Sequence, residues 1–539
     1  MKPSNKAGKV LLAAAMAGSI SGGALAQPIV QAPAGPVQGV TGETVTVYKG
    51  LPYAQPPIGE KRWRAPEPLS PWTETLVADE FAAGCPQPSA PADNLYAPQL
   101  PKLSEDCLYL NVWAPNNVEN APVMVWVHGG SLVSGAGHDQ TYDGTALAER
   151  GIVVVTINYR LGILGYMAHP ELSAENPDNI SGNYGLLDQI QALKWVQDNI
   201  AAFGGNPDSV TLAGESAGGL SALYLMASPK ARGLFQQAIV QSAYMISTPE
   251  LRTSSHGDLP AEAIGQKISQ ALKLNVEGLR KLDANDLVNA AANAHYFPSG
   301  TVDGKILRRQ LVDTFNRGEQ APVPVLAGFN AGEIRTLPFL APPAPDSASE
   351  YESIIKARYG DLGEEFLRQH PSSDMKESSQ TAVRDAMYGW TAENLVRKQT
   401  ELGKPSYFYF FDHHYRATDE AGINAFHASE LPYIFDTFDR TVAAWPRPPL
   451  TLEEAQFSEA VSEYWASFIR NGRPKVEGAA NWLPYGEERN YVALEQQPRA
   501  DKHLMPNMFE LNDEIIARRF AHGGLPWNWN IGVKAPQTN

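Results

Sequence analysis

The sequence predicts an α/β fold, a central and mostly parallel sheet with helices on both faces. Three observations carry this. Short apolar, largely β-branched runs alternate with helical stretches through the first half of the chain. Those runs are continuous rather than alternating, as in strands buried on both faces. Hydrophobic residues make up 43% of 539 residues, enough for a large core. The same composition excludes disorder for the bulk of the chain.

The run 123–127 reads as a strand ending in His128-Gly129-Gly130, and 152–157 as a second. Leu186, Ile190, Leu193, Val196 and Ile200 then fall near helical spacing, and Gly204-Gly205-Asn206-Pro207 stops that helix. A strand at 210–213 runs straight into Gly214, and a helix of small residues begins at Ala217. The second half carries longer, more polar helical stretches at 261–294, 351–368 and 378–401. Pro-rich segments at 341–345 and 446–449 read as surface loops, too short for interdomain linkers. At about 150 residues per domain the length suggests several domains, an expectation the motifs below reverse.

Residues 1–26 read as an export signal. Lys2, Lys6 and Lys9 precede an apolar run, and Ala24-Leu25-Ala26 forms a cleavage site before Gln27. Losing its three lysines takes the net charge from −16 to −19. No other stretch reads as transmembrane, so stable membrane insertion is not expected. The acidic balance argues against nucleic acid as a partner. An exported chain reaches the periplasm or the exterior, where Cys85 and Cys107, the only two cysteines, are expected to pair; two buried thiols are the alternative. Oligomeric state has no signature in the sequence.

Gly214-Glu215-Ser216-Ala217-Gly218 fits G-x-S-x-G between a strand and a helix. A sharp turn there strains the serine backbone, and glycines on both sides avoid Cβ clashes. Ser216 is thus the candidate nucleophile. Ser353 and Ser373 each begin an S-x-x-K match, but in polar, charged surroundings, and read as surface residues. A serine hydroxyl needs a base, an acid that orients the base, and donors for the developing oxyanion. His128-Gly129-Gly130-Ser131 supplies an H-G-G-x loop, so the backbone N–H groups of Gly130, Ser131 and Ala217 are the candidate oxyanion hole. Eleven histidines compete for the base role, His370, His413, His414, His427, His503 and His522 among them, and the residues alone leave it open. No H-E-x-x-H and no paired CxxC is present, so neither metal nor organic cofactor is expected.

These motifs resemble the type-B carboxylesterase family, which includes the cholinesterases. The resemblance covers almost the whole mature chain. It runs through Gly50-Leu51-Pro52-Tyr53-Ala54, Pro56-Pro57-Ile58-Gly59 and Arg62-Trp63, then Ser104-Glu105-Asp106-Cys107-Leu108-Tyr109-Leu110-Asn111. Asn158-Tyr159-Arg160-Leu161-Gly162, Gly182-Asn183-Tyr184-Gly185 and Phe203-Gly204-Gly205-Asn206-Pro207 continue it, with Tyr464-Trp465 and Trp482-Leu483-Pro484 near the end. The resemblance implies an α/β-hydrolase fold, with helical insertions over the active site, in one domain spanning 27–539. It implies a Ser-Glu-His triad in that chain order. Glu333, in Gly328-Phe329-Asn330-Ala331-Gly332-Glu333, is then the acid, and His427, before Ala428-Ser429-Glu430, is the base. His128 becomes a framework residue, and Glu430 and Ser242 resemble supporting positions.

The departures bear on substrate. Ser131 stands where many relatives carry a third glycine, and Leu132 where an aromatic is common. Ile334 replaces the usual glycine after the acid. The 85–107 loop has no tryptophan, which removes the cation–π reason to expect choline esters. The expected function is a serine carboxylesterase acting through an acyl-enzyme on neutral small or aromatic esters. The rivals are a catalytically inactive adhesion or binding relative and a specialised lipase, polyester or carbamate hydrolase.

Overall fold

Eleven strands form one sheet in the order Arg499–Lys502, Asn490–Leu494, Ser406–Phe411, Val325–Asn330, Gln237–Gln241, Gly205–Glu215, Ala121–Val127, Val153–Ile157, Tyr109–Pro115, Val45–Pro52 and Val40–Thr41. The computed structural model describes residues 29–89, 91, 94–96, 100 and 102–537, so the expected export signal lies outside the described residues. From Asn490–Leu494 across to Val153–Ile157 every pairing is parallel. The outer pairings on both sides are antiparallel.

The apolar runs explain the layering. Strand side chains alternate between faces. Val123, Val125 and Val127 enter one buried cluster, while Met124 and Trp126 enter another on the opposite face. Val153–Ile157, Gln237–Gln241 and Val325–Asn330 are buried at every position. Helices Tyr184–Asn199 and Ala217–Ala227 cover the first face, and Leu452–Asn471 covers the second.

Two signatures of the sequence meet as ion pairs. Arg62 Nε and Nη2 donate to Glu105 at 2.6 and 2.8 Å, and Arg160 grips Asp188 through Nε and Nη2 at 2.8 and 2.7 Å, fully buried. Cys85 and Cys107 are bridged, with their Cα atoms 5.1 Å apart. Among the described residues no helix is long and apolar enough to cross a membrane.

Expected boundaries shift where ordinary residues break helices. The stretch 261–294 is three helices, Ala261–Leu272, Val276–Arg280 and Ala284–Asn293. Lys273 turns left-handed (φ 55°) after the first, and the side chains of Asn275 and Asp283 cap the next two. The stretch 351–368 divides at Gly360 into Ala348–Tyr359 and Gly363–Gln369. The stretch 378–401 is Met375–Arg384 and Trp390–Glu401, joined by a π-helical turn Asp385–Gly389. The strand expected at 210–213 extends over Gly205–Glu215, because Gly205 already pairs with Ala121.

Candidate active site

The parallel strands deliver their C-terminal ends to one edge of the sheet, where ligands of such folds bind. Val127 pairs with Gly214, so the His128-Gly129-Gly130 loop lies beside the turn that holds Ser216. Ser216 sits between Gly205–Glu215 and the helix Ala217–Ala227 with φ 56° and ψ −121°, a conformation L-residues avoid. Its neighbours hold it there. Ser216 N donates to Gln241 O at 2.9 Å, and Leu220 N donates to Ser216 O at 2.8 Å. A Cβ at Gly214 would come within 2.5 Å of the Gly218 backbone, and one at Gly218 within 2.0 Å of Val127 O. Both flanking glycines are therefore required by close approach.

His427 is buried, and its two ring nitrogens face two carboxylates. Nδ1 is hydrogen-bonded to Glu333 Oε2, while Nε2 lies 3.2 Å from Glu215 Oε1. The other Glu333 oxygen accepts from Asn330 N at 2.8 Å. Asn330 Nδ2 donates to Phe426 O at 2.9 Å and to Glu430 Oε2 at 2.6 Å. Gln241 Nε2 donates to Glu430 Oε1 at 3.0 Å, and Trp465 Nε1 to Gln241 Oε1 at 3.1 Å. Two buried carboxyl groups thus face the imidazole, and a third, Glu430, is held nearby by Asn330 and Gln241. Burial opposes charging of His427, but the carboxylates outweigh it and raise the imidazole to about 9. Burial, together with Glu430 and Glu333, raises Glu215 to about 8 despite the pull of His427. Burial likewise raises Glu430 to about 7.

Ser216, Glu215, His427, Gly130 and Ser131 line one cavity of about 380 Å³. Its remaining wall mixes aliphatic and small residues with eight aromatic ones, among them Tyr96, Tyr142, Tyr244, Tyr388 and Trp445. Tyr388 and Tyr96 flank the imidazole, with ring centroids 5.3 and 5.9 Å away. Tyr96 comes from the loop closed by the disulfide, and its hydroxyl donates to His427 O at 3.1 Å. Gly130, Ser131 and Leu132 all have positive φ. Among the described residues no acceptor takes the N–H of Gly130 or Ser131, and Ala217 opens its helix, where an N–H has no partner within the helix.

The expected residues fall into place unevenly. Ser216, His427, Gly130 and Ser131 line the cavity, while Glu333 is fully buried behind His427 and does not line it. Leu132 is buried in the main core and is not among the residues that line the cavity. His128 is buried framework. It stacks on Tyr159, whose hydroxyl donates to His128 O at 2.9 Å, and burial lowers its imidazole to about 4. His413 is paired with Glu454 at 3.0 Å and His414 with Asp419 at 2.6 Å, both away from the cavity, and His370 lies 3.9 Å from Asp385. Ser353 and Ser373 are exposed on the surface. Glu215 is the residue that sequence reasoning leaves unassigned. It occupies a variable position of the motif, and nothing local says that its carboxyl turns toward His427. Among the described residues no group of three or more His, Cys, Asp or Glu side chains is arranged to hold a metal ion.

A parallel sheet with a strained serine at a strand-to-helix turn, and a histidine–glutamate pair at the same edge, defines an α/β hydrolase. The chain belongs to the carboxylesterase family, whose pattern it matches over residues 26–511. It is 36% identical over 499 residues to the para-nitrobenzyl esterase of Bacillus subtilis (strain 168), covering 89% of this chain and 99% of that protein. It is 34% identical over 470 residues to the fumonisin B1 esterase of Sphingopyxis macrogoltabida, covering 85% of this chain and 84% of that one. A solved para-nitrobenzyl esterase structure superposes with a TM-score of 0.79 at 34% identity, over 90% of this chain and 99% of the other. The chain is a carboxylic ester hydrolase that acts on small-molecule esters.

Proposed function

We propose that this esterase works through an acyl-enzyme, with Ser216 as nucleophile, His427 as base and Glu333 as the acid that orients it. The observation that carries the reading is the His427–Glu333 hydrogen bond at the cavity that also holds the strained Ser216. Ser216 Oγ attacks the ester carbonyl as its proton passes to His427 Nε2. The carbonyl oxygen, now anionic, accepts from the N–H groups of Gly130, Ser131 and Ala217. As the tetrahedral species collapses, the leaving alkoxide takes the proton from His427 and departs as the alcohol. Water then attacks the acyl-enzyme with His427 again as base, the carboxylic acid leaves, and Ser216 regains its proton.

The cavity supports neutral esters, small or aromatic. Its walls are mostly apolar and aromatic, and its ionisable acids are Asp139 and Glu215, with neither lysine nor arginine among the described lining residues. An anionic ester would find neither lysine nor arginine among those residues to pair with it. Ser131 lines the cavity, and its side chain takes up room there that a third glycine would leave free. We further read residues 27–539 as one catalytic domain released from an export signal at 1–26 into the periplasm or the exterior, a setting that the Cys85–Cys107 bridge suits.

Ser216→Ala tests the reading. Ester turnover should fall by about 10³-fold or more with unchanged circular dichroism; full activity in that variant overturns the assignment. Labelling of Ser216 by an organophosphate, and a burst with activated esters, separate the enzyme from an inactive binding relative. A panel of acyl and alcohol groups separates a general esterase from a lipase or a polyester or carbamate hydrolase.

A further inference from the structure

A second cavity, of about 260 Å³, opens on the surface and is lined by Ala227, Pro229, Arg232, Arg308, Arg309, Thr314 and Glu319. It shares no lining residue with the first. Three guanidinium groups in one depression stand out in a chain of net charge −16. The acids beside them are already committed. Glu319 is paired with Arg309, and Asp313 with Arg309 and Arg317. Among the described residues neither Arg232 nor Arg308 has a carboxylate partner. Arg232 instead donates through Nη2 to the backbone carbonyl of Glu319 at 2.7 Å. Burial and the charge of Arg308 both lower the Arg232 guanidinium, and the carboxylate of Glu319 in the same lining is shared with Arg309 as its ion-pair partner, so the three guanidinium groups outnumber the acids of the depression.

The backbone beneath these arginines is fixed. Asp303 Oδ1 accepts from the N–H groups of Lys305, Ile306 and Leu307, and Ile306 and Leu307 are buried. On the other side Gln310, also buried, accepts from Thr248 N at 2.9 Å and donates to Thr248 O at 2.7 Å. Arg308 and Arg309 are thus held between two anchors. Arg232 follows the short helical turn Pro229–Ala231, which the buried Ser228 caps.

We propose that this depression is an anion site for a compact phosphate-type oxyanion, gripped by Arg232 and Arg308 and steadied by Arg309. The planar fork of a guanidinium matches the paired oxygens of such a group, and its unpaired charge gains most from a doubly charged ligand. Free inorganic phosphate and the phosphomonoester headgroup of a lipid share this chemistry. The site does not depend on the ester chemistry and stands whether or not Ser216 is the nucleophile.

Titration calorimetry of the full-length protein with inorganic phosphate, against sodium chloride at matched ionic strength, tests it. Saturable binding at one site is expected. Arg308→Gln and Arg232→Gln should each weaken it about tenfold, the loss of a charge-assisted contact, with ester turnover and melting temperature in the absence of phosphate unchanged. Because Arg308 is exposed, its variant should fold as the parent does. Vesicles of phosphatidylcholine with and without phosphatidic acid distinguish the sources. Retention that needs phosphatidic acid and both arginines assigns a lipid headgroup; phosphate binding without retention assigns a free phosphate. Heat that does not saturate, or binding equal in parent and variants, overturns the site.

Discussion

Glu215 and Ser216 are adjacent in the chain and make opposite demands on His427. In the proposed mechanism His427 must lose its proton before it can accept one from Ser216, yet Glu215 Oε1 lies 3.2 Å from its Nε2 and favours the charged imidazole. The acid limb of kcat/KM reports that deprotonation, so activity should rise with pH as His427 empties. Glu215→Gln removes a group that raises His427, and its acid limb should move to lower pH by about one unit; a limb that stays in place or moves upward means that Glu215 does not act on the imidazole. Gly130→Ala gives a second expectation. Gly130 has φ 100°, and a Cβ there would meet Ser134 O at 2.1 Å. The loop must shift, and kcat should fall about 10²- to 10³-fold, the effect of losing one oxyanion donor, with KM little changed. At this scale the sequence was readable wherever a residue's role is fixed by its own backbone. Ser216 and Gly130 announce themselves because a sharp turn needs small neighbours. His427 and Glu333 needed the family pattern, because 94 residues separate the two halves of their hydrogen bond. The Glu215 contact depends on a rotamer and left no trace in the motif.

Among the elements, the helix Ala217–Ala227 is the one that the site can least afford to move. It is buried at every position, and Gly218 brings it against the end of the Ala121–Val127 strand. Gly218→Ala would press a methyl group against Val127 O, and overpacking of this kind costs about 1–3 kcal/mol. A melting temperature lowered by several degrees, with activity lost in the folded fraction, is expected; a variant of parental stability and activity contradicts the close approach. Three strands at the centre of the sheet, Ala121–Val127, Val153–Ile157 and Gly205–Glu215, and this helix were legible because buried strands demand unbroken apolar runs, whereas most of the other strands were not read. The insertions were harder to read. Lys273 ends a helix by turning left-handed, which lysine does not advertise, and the π turn at Asp385–Gly389 interrupts a stretch whose composition is helical throughout.

For the whole molecule, the single bridge ties the cavity wall to the core. Asn94, Leu95 and Tyr96 line the cavity from within the 85–107 loop, and Trp445 Nε1 donates to Leu95 O at 2.6 Å. Replacing Cys85 and Cys107 together by serine should cost about 3 kcal/mol in the chain-entropy account and raise KM more than it lowers kcat, because the loop lines the cavity and touches the backbone of His427. Calorimetry and steady-state kinetics on one preparation check both; a loss of stability with KM unchanged would detach the loop from binding. The two borders of the sheet have a further consequence. One is the strand Arg499–Lys502, exposed along its length and carrying two basic residues and an aspartate; the other is the two-residue strand Val40–Thr41. Neither offers a long, flat, apolar row of free amides on which a second copy could register. Growth of fibrous aggregates by edge-to-edge pairing along the borders of this sheet is therefore not expected when the enzyme is held at high concentration.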